Sequence, residues 1–152
     1  MKYALIFCLV VSALGVAQTQ QPLSASEDIS GMYTFLKDGE FIQINVEEGH
    51  LTGFVSRYGE TSSDKDTFLD HMFKTAELKG DEIHFITKNV HGIWYEFTGK
   101  VEHGEQKDPA KEGYRLLKGK LTQNSDDDSK KASGKSRDVT FKSFPIDALV
   151  NH

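Results

Sequence analysis

The sequence predicts an all-β protein: an up-and-down antiparallel meander of about eight strands closing into a barrel, with one short helix, and a two-sheet β-sandwich as the alternative architecture. Three observations predict it. Apolar and polar residues alternate with period two over most of the chain between residues 29 and 144. Short glycine-bearing steps separate the alternating runs, as hairpins require. A glycine flanked by apolar residues two positions away recurs at Ile29 to Tyr33, Leu51 to Val55, Phe97 to Val101 and Leu117 to Leu121.

The elements follow in chain order. Gly31 to Leu36 reads as a strand, Lys37-Asp38-Gly39 as a turn, and Glu40 to Val46 as the second strand. A Glu-Glu-Gly-His turn then leads into Leu51 to Tyr58. In residues 62 to 75, Phe68, Leu69, Met72 and Phe73 recur at helical spacing, with Ser63 placed to cap and acidic residues in the first turn. A short helix over residues 64 to 73 is therefore expected, its apolar face plugging one end of the sheet. Thr75 to Lys79 and Glu82 to Thr87 flank a tight connection; Ile93 to His103 is a long strand, and Gly113 to Gln123 its antiparallel partner. Residues 123 to 137 hold one small apolar residue, Ala132, among blocks of opposite charge, and read as a mobile loop. A last strand is expected from Asp138 to Phe144, ended by Pro145, with residues 145 to 152 as a tail.

The glycines explain why a meander should close. In a strand, residues two apart share a face, so Gly53, Gly99 and Gly119 lie on the apolar side between larger residues. A glycine there loses backbone entropy and adds nothing to the core, which makes sense where a sheet coils sharply or another chain segment approaches closely. Gly31, Gly53, Ala76 and Gly99 stand 22, 23 and 23 residues apart, about two strands and two turns per step.

The first 17 residues form the pattern of a secretory signal peptide: Lys2, an apolar run from Ala4, and the small residues Gly15-Val16-Ala17 for cleavage near Ala17. A secreted or periplasmic location is expected, with no membrane insertion after cleavage. Residues 18 to 28 are polar and aperiodic and read as a flexible tail before a single domain over 29 to 144. Cys8, the one cysteine, falls inside the signal segment, so the mature chain needs no disulfide. Loss of Lys2 moves the net charge from −5 to −6. An acidic chain without a basic face is not built for nucleic acid or anionic membranes, and a monomer is expected.

The pattern Ile-Ser-Gly-Met-Tyr-Thr-Phe at 29 to 35, followed by His-Leu-Thr-Gly-Phe-Val and Ile-Trp-Tyr-Glu-Phe-Thr-Gly-Lys-Val, resembles the calycin-type barrels, the lipocalins and avidin-like proteins. Those families open on Gly-x-Trp, where Gly31-Met32-Tyr33 carries tyrosine, and Thr52-Gly53 is similar to an early Thr-Gly pair of avidin-like chains. The resemblance implies the barrel; the biotin contacts of avidins have no counterparts here.

Catalytic and metal chemistry find little footing. No two histidines among His50, His71, His84, His91 and His103 are spaced as His-x-His or His-x3-His, so no metal site is expected. Asp64, Asp66 and Asp70 resemble a calcium loop only loosely, since Leu69 stands where the glycine belongs and Thr75 where the bidentate Glu belongs. The mature chain has no cysteine nucleophile and no Gly-x-Ser-x-Gly elbow, and neither an enzyme nor a cofactor is expected. The richest cluster is residues 89 to 97, Asn-Val-His-Gly-Ile-Trp-Tyr-Glu-Phe. Aromatic rings with one polar tip suit the rim of a ligand cavity. The expected function is a non-enzymatic exported protein binding a small hydrophobic or aromatic molecule at the barrel mouth through Tyr33, Phe54, Tyr58, His91, Trp94 and Tyr95. The alternative is a cell-envelope interaction or structural module with a barrel filled by its own side chains.

Overall fold

The computed structural model describes residues 28–34, 40–59, 64–126 and 132–145. Within them lie eight strands: β1 (Gly31–Thr34), β2 (Phe41–Glu47), β3 (His50–Tyr58), β4 (Phe68–Lys79), β5 (Glu82–Thr87), β6 (Ile93–His103), β7 (Arg115–Asp126) and β8 (Ala132–Ser143). Each pairs antiparallel with the next, and β1 meets β8 at Tyr33↔Ser143 and Thr34↔Lys142, so the meander closes into a barrel. The expected signal peptide, most of the N-terminal tail and the tail beyond Pro145 lie outside the described residues.

Strand period decides the core. Ile42 and Ile44 of β2, Val55 of β3, Ile83 and Phe85 of β5, Tyr95, Phe97 and Val101 of β6, Leu117 and Leu121 of β7, and Val139 and Phe141 of β8 all turn inward and are buried. Four phenylalanines cross the interior in sequence: Phe73 to Phe85 at 4.3 Å between ring centroids, Phe85 to Phe97 at 5.3 Å, and Phe97 to Phe141 at 5.4 Å. Each such ring contributes about 2–3 kcal/mol by burial. Ile29 adds its side chain ahead of β1, and its carbonyl accepts the Tyr33 hydroxyl at 2.8 Å. These residues form one continuous buried cluster, with Phe73, Ala76 and Leu78 packed against it.

Gly53 shows what the recurring glycine does. Its φ is +156°, and a Cβ there would run into the Gln43 carbonyl oxygen and stand 2.8 Å from the Phe73 ring. Only a residue without a side chain allows β2, β3 and the inward Phe73 to approach so closely.

Two expectations are corrected. Residues 64 to 73 contain no helix: β4 starts at Phe68 and pairs with β3 through Val55↔His71 and Arg57↔Leu69. Leu69, His71 and Phe73 turn inward while Phe68 and Met72 remain about half exposed on the outer face. The apolar residues counted at helical spacing thus serve two faces of a strand. A short helix gains little on its own, whereas the strand pairs with β3 over residues 68 to 72 and with β5 from Phe73 onward. The irregularity between Phe73 and Thr75, where the β4–β5 register shifts, blurs the period in just this region.

Residues 123 to 137 are likewise no loop over most of their length. β7 continues to Asp126 and β8 begins at Ala132, with pairing as far as Asp126↔Ala132; only residues 127–131 lie outside the described residues. The ribbon is polar because it projects past the core, and cross-strand hydroxyl pairs replace apolar contacts: Thr122 with Ser136 at 2.8 Å and Ser125 with Ser133 at 3.1 Å.

Candidate functional site: the loop end of the barrel

The connections β3–β4 and β5–β6 lie at one end of the barrel, and polar side chains converge there. Alternation along β3 carries the inward face from Val55 to Arg57, and along β4 from Phe73 back to His71. Both are buried polar residues, Arg57 at 2 % exposure. Arg57 Nε donates to His71 Nε2 at 3.2 Å, and its Nη1 donates to the Tyr58 carbonyl at 3.0 Å. An imidazole that accepts at Nε2 carries its hydrogen on Nδ1. The edge of the Tyr95 side chain closes the other side, its ring centroid 5.2 Å from that of His71 at an interplanar angle of 82°. Burial foremost, and then the Arg57 charge, push the His71 pKa down to about 4; main-chain groups of Lys88 and Ile93 work the other way. His71 is neutral at physiological pH. Thr87 fixes β6 alongside by accepting the Tyr95 backbone N–H at 2.9 Å.

A second pair sits where the two connections meet. Asp64, 5 % exposed, holds His91 Nδ1 at 3.0 Å from its Oδ2, while the His91 side chain is more than half exposed. His91 adopts φ +51° in the β5–β6 turn, a conformation that needs outside support in a residue with a full side chain. Asn89 supplies part of it, accepting the Gly92 N–H at 2.9 Å and donating to Asp126 at 3.0 Å. Gly59 lets the β3–β4 connection close, since a Cβ there would collide with the backbone and carboxyl of Asp64.

The adjoining outer face of β2, β3 and β4 is aromatic. Tyr58 and Phe68 stand 4.2 Å apart, Phe41 and Phe54 5.8 Å, and Phe41 and Phe68 6.5 Å. Phe54 is in register with Met72. Tyr58, Phe68 and Met72 are 42 %, 48 % and 47 % exposed. Within this cluster Ser56 is buried although it faces outward, and its hydroxyl donates to Asp70 at 2.7 Å. Farther along, the β3–β4 ladder stops at Phe54↔Met72, and a cavity of about 250 Å³ opens between the strands beside Leu51, Gly53, Phe73 and Ala76.

The six residues expected to form one site do not come together. Phe54 and Tyr58 share the outer aromatic face. His91 and Tyr95 lie at the loop end, but Tyr95 is core and touches His71 rather than a cavity. Tyr33 is buried with its hydroxyl on Ile29, and Trp94 is half-buried on β6 in register with Asn124. Arg57, His71 and Asp64 were not expected at the site, nor were Phe41, Phe68 and Met72. The usable signal was register: Arg57 continues the inward series Leu51, Gly53, Val55, and a charged residue in that series asks for a partner inside. Among the described residues no three side chains of the His, Asp, Glu or Cys type come together as a metal site would need.

The fold and these groups define a closed eight-stranded antiparallel barrel with an aromatic core and polar side chains gathered at one loop end. No protein-family model, curated protein or solved structure matches the chain.

Proposed function

We propose that this is an exported, non-enzymatic interaction module that uses a calycin-like barrel as a rigid scaffold and engages a partner protein with the outer aromatic face of β2, β3 and β4. One observation carries the reading: large apolar side chains at Phe41, Phe54, Tyr58, Phe68 and Met72 gather on an outer face, apart from the buried core cluster. Contiguous exposed apolar surface on a soluble chain is retained at a cost in solubility and marks contact with another molecule. Aromatic residues and methionine are the types enriched where proteins meet. The acidic chain speaks for a protein partner over a nucleic acid.

A second reading, a small apolar ligand held at the rim, draws on the Tyr58–Phe68 stack beside the loop end. One experiment separates the two. The full chain and a Phe68→Ser/Met72→Ser double variant are used as bait with the proteins of the native cells, and both are screened with small aromatic molecules by Trp94 fluorescence. Retention of one protein by the parent and its release by the variant is the expected result. Equal retention by both baits defeats the interaction reading, and a saturable Trp94 response to a small molecule in its place establishes the second.

A further inference from the structure

The barrel wall opens between β3 and β4. Their ladder stops at Phe54↔Met72, although β3 extends back to His50 and β4 on to Lys79. The interruption coincides with a bulge in β4. Its register to β5 passes from Phe73↔Thr87 to Thr75↔Ile86, which leaves Lys74 as the extra residue. The cavity of about 250 Å³ lies in this gap, walled by Leu51, Phe73 and Ala76, all three packed on their inner side against the core cluster. Two exposed lysines, Lys74 and Lys88, also line it. Among the described residues neither lysine makes an ion pair, and no carboxylate lines the cavity. In a chain with 23 acidic residues against 18 basic ones, an apolar slot edged by two lysines and no acid is a departure from the rest of the surface.

We infer that this slot binds a soluble single-chain amphiphile with an anionic head, of which an alkyl carboxylate is the simplest member. Leu51, Phe73 and Ala76 are only partly buried, so a hydrocarbon chain laid against them removes their remaining apolar surface from water. The head meets Lys74 and Lys88, whose ammonium groups are point charges on flexible stems and need no fixed fork geometry. Size selects a short chain over a ring system, since pockets for drug-sized molecules run from about 300 to 1,000 Å³. Charge selects the sign: a cationic head is repelled by both lysines, and a neutral one gains nothing from them. The bulge ties head to tail, because it re-aims a lysine at the point where pairing with β3 ends. The inference is independent of the outer-face reading, since Phe41, Phe54, Tyr58 and Phe68 take no part in the slot.

The test uses the full chain with butanoate and hexanoate as probes, and hexanol and hexylamine as controls at equal ionic strength. Amide NMR should show saturable shifts at Gly53, Phe73 and Ala76 with hexanoate. Affinity should rise about fourfold per methylene from butanoate to hexanoate, as burial of each group predicts. Hexanol should bind about fivefold or more weakly, and a Lys74→Gln/Lys88→Gln double variant should bring hexanoate down to the hexanol level. Ala76→Leu places a branched side chain in the slot and should abolish binding, with a thermal melt as the check on folding. Four results overturn the inference: no saturable amide shift up to tens of millimolar hexanoate, equal affinity for hexanol or hexylamine, an affinity independent of chain length, or sedimentation with phosphatidylglycerol vesicles in place of a response to the soluble acid. All four are read on the parent chain, so a variant that fails to fold leaves them standing.

Discussion

Gly99 and Gly119 face each other across the β6–β7 ladder, each on the inward side of its strand and each without room for a side chain. A Cβ on Gly99 would collide with the Lys118 carbonyl oxygen, stand 2.6 Å from the tip of Phe97 and 2.9 Å from the Gly119 Cα. Valine is the better strand former, but backbone cannot give way as a side chain can. Gly99→Val should therefore cost about 1–3 kcal/mol or more, while Thr98→Val on the exposed side should stay close to the parent. Paired thermal melts decide it, and an undiminished Gly99→Val would refute the close approach of the two strands.

Stability should depend on pH through His71. Its pKa is near 4 in the folded chain against an ordinary value of 6.5, so between those values the unfolded chain holds the proton and the folded chain does not. Stability rises with pH across that window, is fully present above pH 6.5 and is lost as pH falls through 4. The span is worth about 3 kcal/mol. His71→Phe removes this slope, whatever it does to the absolute stability. Urea unfolding of both chains at pH 7 and pH 5 measures the difference.

Tyr33→Phe isolates one buried hydrogen bond. The hydroxyl donates to the Ile29 carbonyl from a fully buried position, and its loss leaves that carbonyl unmatched while the ring still packs. The expected cost is about 1–2 kcal/mol. Chemical denaturation with an unchanged m-value would show that the barrel stays closed.

The outer and inner aromatics should respond unequally to truncation. Phe85, fully buried between Phe73 and Phe97, should lose about 3–5 kcal/mol as alanine. Phe68→Ser, at a position 48 % exposed, should cost well under half of that. A Phe68→Ser as damaging as Phe85→Ala would mean that the outer cluster is a second core and not a surface held for contact.

The barrel itself was legible because strand period is a local property. Phe97, Gly99 and Val101 share a face wherever the strand goes, and the turn residues Glu48–Gly49 and Gly80–Asp81 sit between strands that pair as read. The β4 segment was not legible, since Phe68, Leu69, Met72 and Phe73 fit a helical face as well as two faces of a bulged strand. The polar ribbon of β7 and β8 was hidden for a related reason: its composition is that of a loop, and only the ladder begun by Leu117↔Phe141 carries it forward as strand.

What the sequence determined by itself, then, is the alternation of faces and the glycines that let the sheet coil, because both follow from backbone geometry within a few residues. The tertiary structure alone decided which polar residues meet. Arg57 and His71 are 14 positions apart and Asp64 and His91 27. Each pair exists only once β3, β4 and the β5–β6 turn are brought to the same end of the barrel. Closure also set which aromatics turn inward and which stay out. A strand has two faces, and inside is defined only by the strands that complete the ring.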